Sequence, residues 1–538
     1  MNYSDLFRVT LPETMLEVAA LIVLIVDLGV LRKAALKVRV MVAALLGVAG
    51  CGAALWNLQT AAVVQSKLWG PGYIFEVEML LGQGSYITAA QCGILVLTAL
   101  TLLLLIDSDF TKHVGEFVAV VLMAATGGLL VAAAQDLLVI FVGLELLSLG
   151  LYILTAFAKS SGKSAEAAMK YYLFGGMSAA FLLFGFSYFY GLTGSTNLSA
   201  IQLAIAESGP SPLFYVAWIL VVAGLGFKIA AVPFHQWAPD TYEGAPAPAA
   251  AFIASVSKVA SFTLLITLTE IWFGVGDKLT AGAIRIWQPL TMVMLVLSVA
   301  SMVVGNLAAL AQISVRRLLA YSAIAHVGYM LLGLAAQPKY IGFDVGWVPL
   351  DVNAQLKYVG TGSLSNFIES VAPHIRVSLY AVLYYVLTYG LTTIGAFGVV
   401  AVVERATGSD RLESFLGLHK RNPLLAAVLL VFFLSLAGIP PLVGFWAKFN
   451  LFAAVLGVSA GPVPFALVAL AVMMSAVSLY YYLQVLKRAY IMTAIDETPI
   501  KAHPITMAVL VAIAAAVVVM GCFPSLLQGW IASFYPVL

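Results

Sequence analysis

The sequence predicts an all-α polytopic membrane protein of about fourteen transmembrane helices, built around two inverted five-helix repeats with a broken helix in each. Three observations predict it. Of 538 residues, 62% are hydrophobic and only 10% charged, whereas a soluble domain carries about a quarter of its residues as charges. Apolar runs of about twenty residues, each long enough to cross roughly 30 Å of hydrocarbon, recur from end to end. Period-two alternation is absent, so the spans are helices, which satisfy their own backbone hydrogen bonds in lipid. A soluble fold is excluded, and a net charge of +2 gives no reason to expect nucleic acid. The three cysteines, Cys51, Cys92 and Cys522, have no C-x-x-C spacing, so no Fe–S cluster, zinc site or disulfide framework is expected.

The elements follow in order. The opening MNYSDLFRVTLPETMLEV places acids before the first apolar run, and Arg32, Lys33, Lys37 and Arg39 after it. A secretory signal has the opposite charge order, so the first span is expected to be an uncleaved anchor with its N-terminus outside. Spans at 15–31, 40–58 and 86–106 form an N-terminal segment, residues 1–115. Spans at 116–134, 137–157, 169–191, 212–236 and 245–273 form a first repeat, 116–275. Spans at 287–310, 317–336, 376–402, 423–456 and 462–486 form a second, 276–490, which includes a polar external connection at 337–375. A last helix, 505–531, lies in a C-terminal segment, 491–538. An even number of spans puts both termini outside. Cytoplasmic loops collect Lys and Arg, and here the inner loops hold seventeen basic residues, Lys170, Arg316 and Arg317 among them, against seven outside. Three are left within spans: Lys228, Lys258 and Lys448.

Those three lysines and a mid-span acid, Glu145, carry the chemistry. A charge at mid-bilayer costs about 2.5–3.5 kcal/mol on insertion scales, so four unpaired would cost on the order of 10 kcal/mol. Snorkelling relieves a lysine near a helix end, but Lys228 has a long apolar segment before it and VPFHQW after it. Lys258, in SVSKVAS, also fits a polar contact between helices. Two of the lysines sit beside helix breakers: Lys228 precedes Pro233 by five residues, and Lys448 follows Pro440, Pro441 and Gly444. Broken membrane helices line polar interiors, and transporters place ion sites there.

Spans 4–8 carry Glu145 on their second helix and Lys228 on their fourth, while spans 9–13 carry His326 and Lys448 on the matching helices. Five is odd, so the second copy enters from the opposite face. Burial disfavours a lysine's charge and a nearby carboxylate restores it. Approach of Glu145 would therefore hold the Lys228 proton, and separation would release it towards Lys258 and Lys448. His326 suits a proton relay or simple packing between helices. At the inner end of span 7, His235 suits proton entry or, with Trp237, interfacial anchoring, and Asp240 and Glu243, in a short inner loop, suit proton entry or loop capping.

The segment PFHQWAPDTYEGAPAPAAAF, followed by SVSKVA, resembles the core signature of the antiporter-like subunits of respiratory complex I. Its PD-x-YEGAP form is similar to the subunit N type, the homologue of mitochondrial NADH dehydrogenase subunit 2. LPETMLEVAALIVLIVD, NLAALAQISVRRLLAYSAIAHVGY and LSLAGIPPLVGFWAKF extend the resemblance over essentially the whole chain. The resemblance implies a fourteen-helix proton-channel subunit in the membrane arm, between subunit M and the small quinone-proximal subunits, in a bacterial inner membrane. It implies no cofactor in this chain, with NADH, FMN, Fe–S clusters and quinone handled by other subunits. It further implies Glu145, Lys228, Lys258, His326 and Lys448 as proton-translocating residues. The subunit M type places a glutamate where Lys448 stands. Two features depart from the pattern: connection 337–375 is long, and no lateral helix of the subunit L kind follows the last span. Two alternatives stay open, a multisubunit cation/proton antiporter component and a structural membrane-arm subunit without its own proton path.

Overall fold

Each expected span is met by a helix or a pair of half-helices in the computed structural model, which describes residues 7, 9–68, 85–273, 281–335, 364–458, 462–494 and 498–533. The N-terminal segment is α1 (Leu11–Ile25), continued by a π-helical turn at Val26–Val30, then α2 (Leu36–Leu68) and α3 (Ser85–Leu104). The first repeat runs through α4 (Val114–Ala133), α5 (Leu137–Thr155), α6 (Gly162–Thr193), a short α7 (Leu198–Ser208), α8 (Pro212–Ile229), α9 (Trp237–Gly244) and α10 (Ala247–Phe273). The second runs through α11 (Ala281–Leu310), α12 (Val315–Ala335), α13 (Leu364–Thr407), one turn of α14 (Leu418–Arg421), α15 (Pro423–Ala437), α16 (Val443–Val458) and α17 (Pro462–Tyr490). α18 (Pro504–Cys522) and α19 (Ser525–Ser533) end the bundle. Twelve helices among the described residues are long and apolar enough to cross a membrane; α1 with its π turn and the pair α15–α16 supply the other two spans.

Several sequence expectations change. Span 7 does not continue to 236, because α8 stops at Ile229. Asp240 and Glu243 lie in helix α9, not in a loop. Pro239 falls in the first turn of α9, where proline is tolerated, so WAPDTYEG winds into a helix in spite of its composition. Span 12 is broken as expected, into the half-helices α15 and α16. Lys170, Arg316 and Arg317 belong to α6 and α12 rather than to loops. Connection 337–375 is helical from Leu364 onward, and residues 337–363 of it lie outside the described residues. The C-terminal segment holds two helices.

Close backbone approaches reveal the repeat. A Cβ on Gly127 would lie 2.5 Å from Leu147 N and 2.9 Å from Gly143 O; on Gly305 it would lie 2.6 Å from Ala325 N and 2.9 Å from Tyr321 O. The same register pairs Gly150 with Ala124 and Gly328 with Met302. Thus α4–α5 and α11–α12 cross alike, and Ser148, not Glu145, occupies the position of His326.

The two breaks match as well. α8 ends with Ala230 in the left-handed region (φ 59°), with Ala230 N on Phe227 O and Ala231 N on Gly226 O. α15 ends with Gly438 (φ 87°), with Gly438 N on Ser435 O and Ile439 N on Leu434 O. Both are Schellman turns, which satisfy carbonyls left over at a helix C-terminus. Counting from these turns, Lys228 precedes its break while Lys448 lies in the half-helix beyond, so the two lysines share a broken helix but not a position. Between the halves, α10 packs along α13 through the middle of the bundle. Asp27 ties the N-terminal segment on: it accepts two 2.7 Å bonds from Arg39 and one of 3.0 Å from Gly115 N.

Candidate functional site at the helix breaks

α5 turns Glu145 and Ser148, three residues apart, onto one face beside the end of α8. Lys228, which is buried, donates through Nζ to Ser148 Oγ at 2.6 Å, with Glu145 Oε1 3.5 Å away. The Ser148 hydroxyl in turn donates to Leu144 O at 2.5 Å. The expected pair therefore meets, but a serine takes the first hydrogen bond of the ammonium. The pattern ELLS on a single helical face was its signal. Glu145 remains 26% exposed, so one flank of the pair opens to the bundle surface. Ser301 Oγ on α11 receives the Val232 amide at 2.9 Å, and the Trp237 indole donates to Phe227 O at 3.0 Å while stacking on Tyr171. These contacts fix the return from α8 into α9.

Lys258 is fully buried on α10, and its Nζ donates to Ile229 O, the last carbonyl of α8 before the turn. Lys448 Nζ donates to Ala437 O at 2.9 Å, the equivalent carbonyl of α15, and to Ser475 Oγ at 2.7 Å. A cation at a helix C-terminus answers the negative end of the helix dipole, and a charge-assisted bond to an orphan carbonyl strengthens it. The matching partners of Lys258 and Lys448 are thus the same atom of the two breaks, reached from different helices. This explains the turn residues. A Cβ on Gly438 would lie 2.9 Å from Lys448 Cδ, whereas Ala230 carries its Cβ because the lysine at that break arrives from α10. Lys448 Nζ also sits 5.3 Å from the centroid of Tyr329, in cation–π range.

His326 is buried among tyrosines. Its Nδ1 lies 2.8 Å from Tyr385 Oη, its Nε2 3.5 Å from Tyr482 Oη, and its ring packs on Tyr389. A cavity of about 10 Å³, close to the size of one water, lies between His326, Thr388 and Thr392 and the second break at Ser435 and Gly444. Sequence reasoning missed Ser148, Ser475 and the tyrosines.

One end of the bundle is a charged face. Asp240 pairs with Arg317 at 2.6 Å and Lys170 at 2.7 Å, and Glu243 with Arg317 at 3.0 Å and Lys163 at 3.2 Å. Buried Arg316 ties α12 to α9 and α13, donating to Tyr242 O at 2.9 Å, to Ala245 O and to Glu404 at 3.0 Å. A cavity of about 830 Å³ lies here, lined by Glu243, Arg316, Arg317, Glu404, Arg405 and Asp410 among others. His235 is half-buried in the connection between α8 and α9, without an ion pair among the described residues.

Burial works to raise both α9 carboxyls, but hydrogen bonds and charge from Lys170 and Arg317 hold Asp240 below the ordinary carboxylate value, and those from Arg317 and Lys163 do the same for Glu243. Their contribution is therefore complete above the ordinary value and lost as pH falls through the folded ones. Protection of the amides at 237–246 against exchange, relative to their intrinsic rates, should fall as pH drops below about 4, and Arg317→Gln should move that loss of protection to higher pH. An acid response unchanged by Arg317→Gln would contradict the assignment.

Two inverted helical copies, each with a helix broken beside a buried lysine, define an antiporter-like membrane subunit. The family model described as NADH:quinone oxidoreductase/Mrp antiporter, TM, matches residues 134–345 and 367–478. NADH-quinone oxidoreductase subunit N 2 of Acidobacterium capsulatum is 44% identical, with 99% of each chain covered. A chain of respiratory complex I from Thermus thermophilus, solved with bound aureothin, superposes with a TM-score of 0.71 at 32% identity, covering 96% of this chain and 98% of that one. A chain of the Mrp complex from Dietzia shares the fold, with a TM-score of 0.72 at 20% identity, covering 98% and 96%. The chain belongs to the NADH-quinone oxidoreductase subunit N family.

Proposed function

We propose that this chain carries protons across the membrane within complex I, while NADH oxidation and quinone reduction take place on groups held by other subunits. The carrying observation is the Lys228–Ser148–Glu145 contact, with the Lys258 ammonium bonded to Ile229, the residue after Lys228. A proton held at Lys228 by Glu145 moves to Lys258 when the pair separates, then across the α10–α13 contact to His326 and Lys448. The charged face lies on the cytoplasmic side, in keeping with its basic residues, and both termini lie outside. Glu243 borders the cavity from which protons are drawn, and Asp240 stands behind it on Arg317; being paired with cations, they shape its field rather than hold the carried proton. The neighbours are subunit M and the small quinone-proximal subunits. Residues 116–275 and 276–490 are the two half-channels.

Glu145→Gln tests this reading. In the whole complex in sealed vesicles, with assembly checked, the substitution should lower the proton-to-electron ratio while leaving uncoupled electron transfer in place. An unchanged ratio favours a structural subunit without its own proton path.

A further inference from the structure

The second repeat contains a set of paired hydroxyls that the path above does not use. Tyr482 on α17, Ser322 on α12 and His326 are all buried. The Tyr482 hydroxyl is hydrogen-bonded to Ser322 Oγ and stands 3.5 Å from His326 Nε2, while Nδ1 of the same ring faces Tyr385. Ser322 lies one helical turn nearer the charged face than His326, because α12 begins there with Arg316 and Arg317. Residues 311–314, which lead into α12, line the 830 Å³ cavity, and from Arg316 to Ser322 the rise is about 9 Å.

The repeat argues that packing did not demand these hydroxyls. In the register that matches Ser148 with His326, Ser322 corresponds to Leu144. In the register that matches Lys258 with Ser475, through Ile229 O and Ala437 O, Tyr482 corresponds to Leu265. Leu144 and Leu265 are both buried, so the first repeat fills the same places with leucine.

We propose that Ser322 and Tyr482 form a proton relay joining His326 to the charged face, a second branch that serves the distal repeat directly; it rests on the proton-carrying reading above. The relay works from the tautomer whose Nδ1–H donates to Tyr385, which leaves Nε2 bare. Ser322 passes its hydroxyl proton to Tyr482 Oη as Tyr482 passes its own to Nε2, and a proton arriving from the charged face restores the serine. One proton has moved, His326 is left as imidazolium, neither hydroxyl has ionised, and the hydrogen bonds now point the other way.

The test uses the whole complex in sealed vesicles, with assembly checked and proton pumping read against electron transfer. Tyr482→Phe, which keeps the ring, and Ser322→Ala should each slow coupled pumping by on the order of tenfold, and should alter its solvent deuterium isotope effect. Ser322→Thr, which keeps the hydroxyl, should restore both. If Tyr482→Phe disturbs assembly, the Ser322 pair decides alone. Unchanged pumping and isotope effect in Ser322→Ala or in assembled Tyr482→Phe overturn the branch. A Lys228→Met variant in the same preparation separates the two failures: if it still loses pumping, only the branch falls, and if it does not, the proton-carrying reading falls with it.

Discussion

Lys228→Met should leave complexes that assemble and transfer electrons, while proton movement through the first repeat falls on the order of a hundredfold or more, the scale expected when a positioned proton-transfer group is removed. Assembly should survive because the carboxylate that loses its partner, Glu145, is already partly exposed. Ser148 keeps its bond to Leu144 O. Methionine fills most of the lysine's volume without a buried charge. The other two lysines make poorer tests. Lys258→Met would strip the donor from Ile229 O, where an unsatisfied buried carbonyl costs about 1–3 kcal/mol, and Lys448→Met would leave Ala437 O with the longer 3.4 Å bond from Ser475 Oγ alone. Lost pumping in those variants would mix chemistry with a loosened break. The measurement is the proton-to-electron ratio in sealed vesicles. A normal ratio in fully assembled Lys228→Met complexes would remove Lys228 from the path.

The lysines were legible in the sequence because lipid makes a buried charge expensive, so a charge within an apolar span stands out. Glu145 and Lys228 were legible as partners for the same reason, and the structure brings them to 3.5 Å. What the lysines hold was not legible. Lys258 and Lys448 bond to main-chain carbonyls, and a carbonyl leaves no mark in a sequence. Ser148, Ser475 and the tyrosines around His326 were hidden for another reason: small hydroxyls and aromatics are ordinary in membrane helices, and only three-dimensional register picks out the few that face a charge. The repeat was legible by helix but not by residue. Lys228 and Lys448 sit on the same broken helix of their copies, yet the true counterparts at the breaks are Lys258 and Lys448, joined by what they bind. Asp240 and Glu243 were placed in a loop because WAPDTYEGAP reads as punctuation, although its proline falls where a helix accepts one.

Gly444→Ala should prevent stable assembly. A Cβ at this position would lie 1.9 Å from Ser435 O and 2.7 Å from its carbonyl carbon, in the backbone of α15 beside the break. Backbone gives way far less readily than a side-chain tip, so α16 would have to withdraw from the end of α15. That movement breaks the 3.2 Å bond from Gly444 N to Ser435 Oγ. It also carries Lys448, one turn further along α16, away from Ala437 O and Ser475, leaving a buried ammonium without acceptors. Overpacking and an orphaned charge add, so the cost should reach about 3 kcal/mol or more. Gly457→Ala supplies the comparison on the same helix, since a Cβ there meets nothing within 4 Å; it should be neutral or slightly stabilising. Assembled complex on native gels and its thermal midpoint should fall for the first variant and hold for the second. Equal behaviour of the two would show that the break tolerates a side chain at Gly444, and would remove the steric link between that glycine and the position of Lys448.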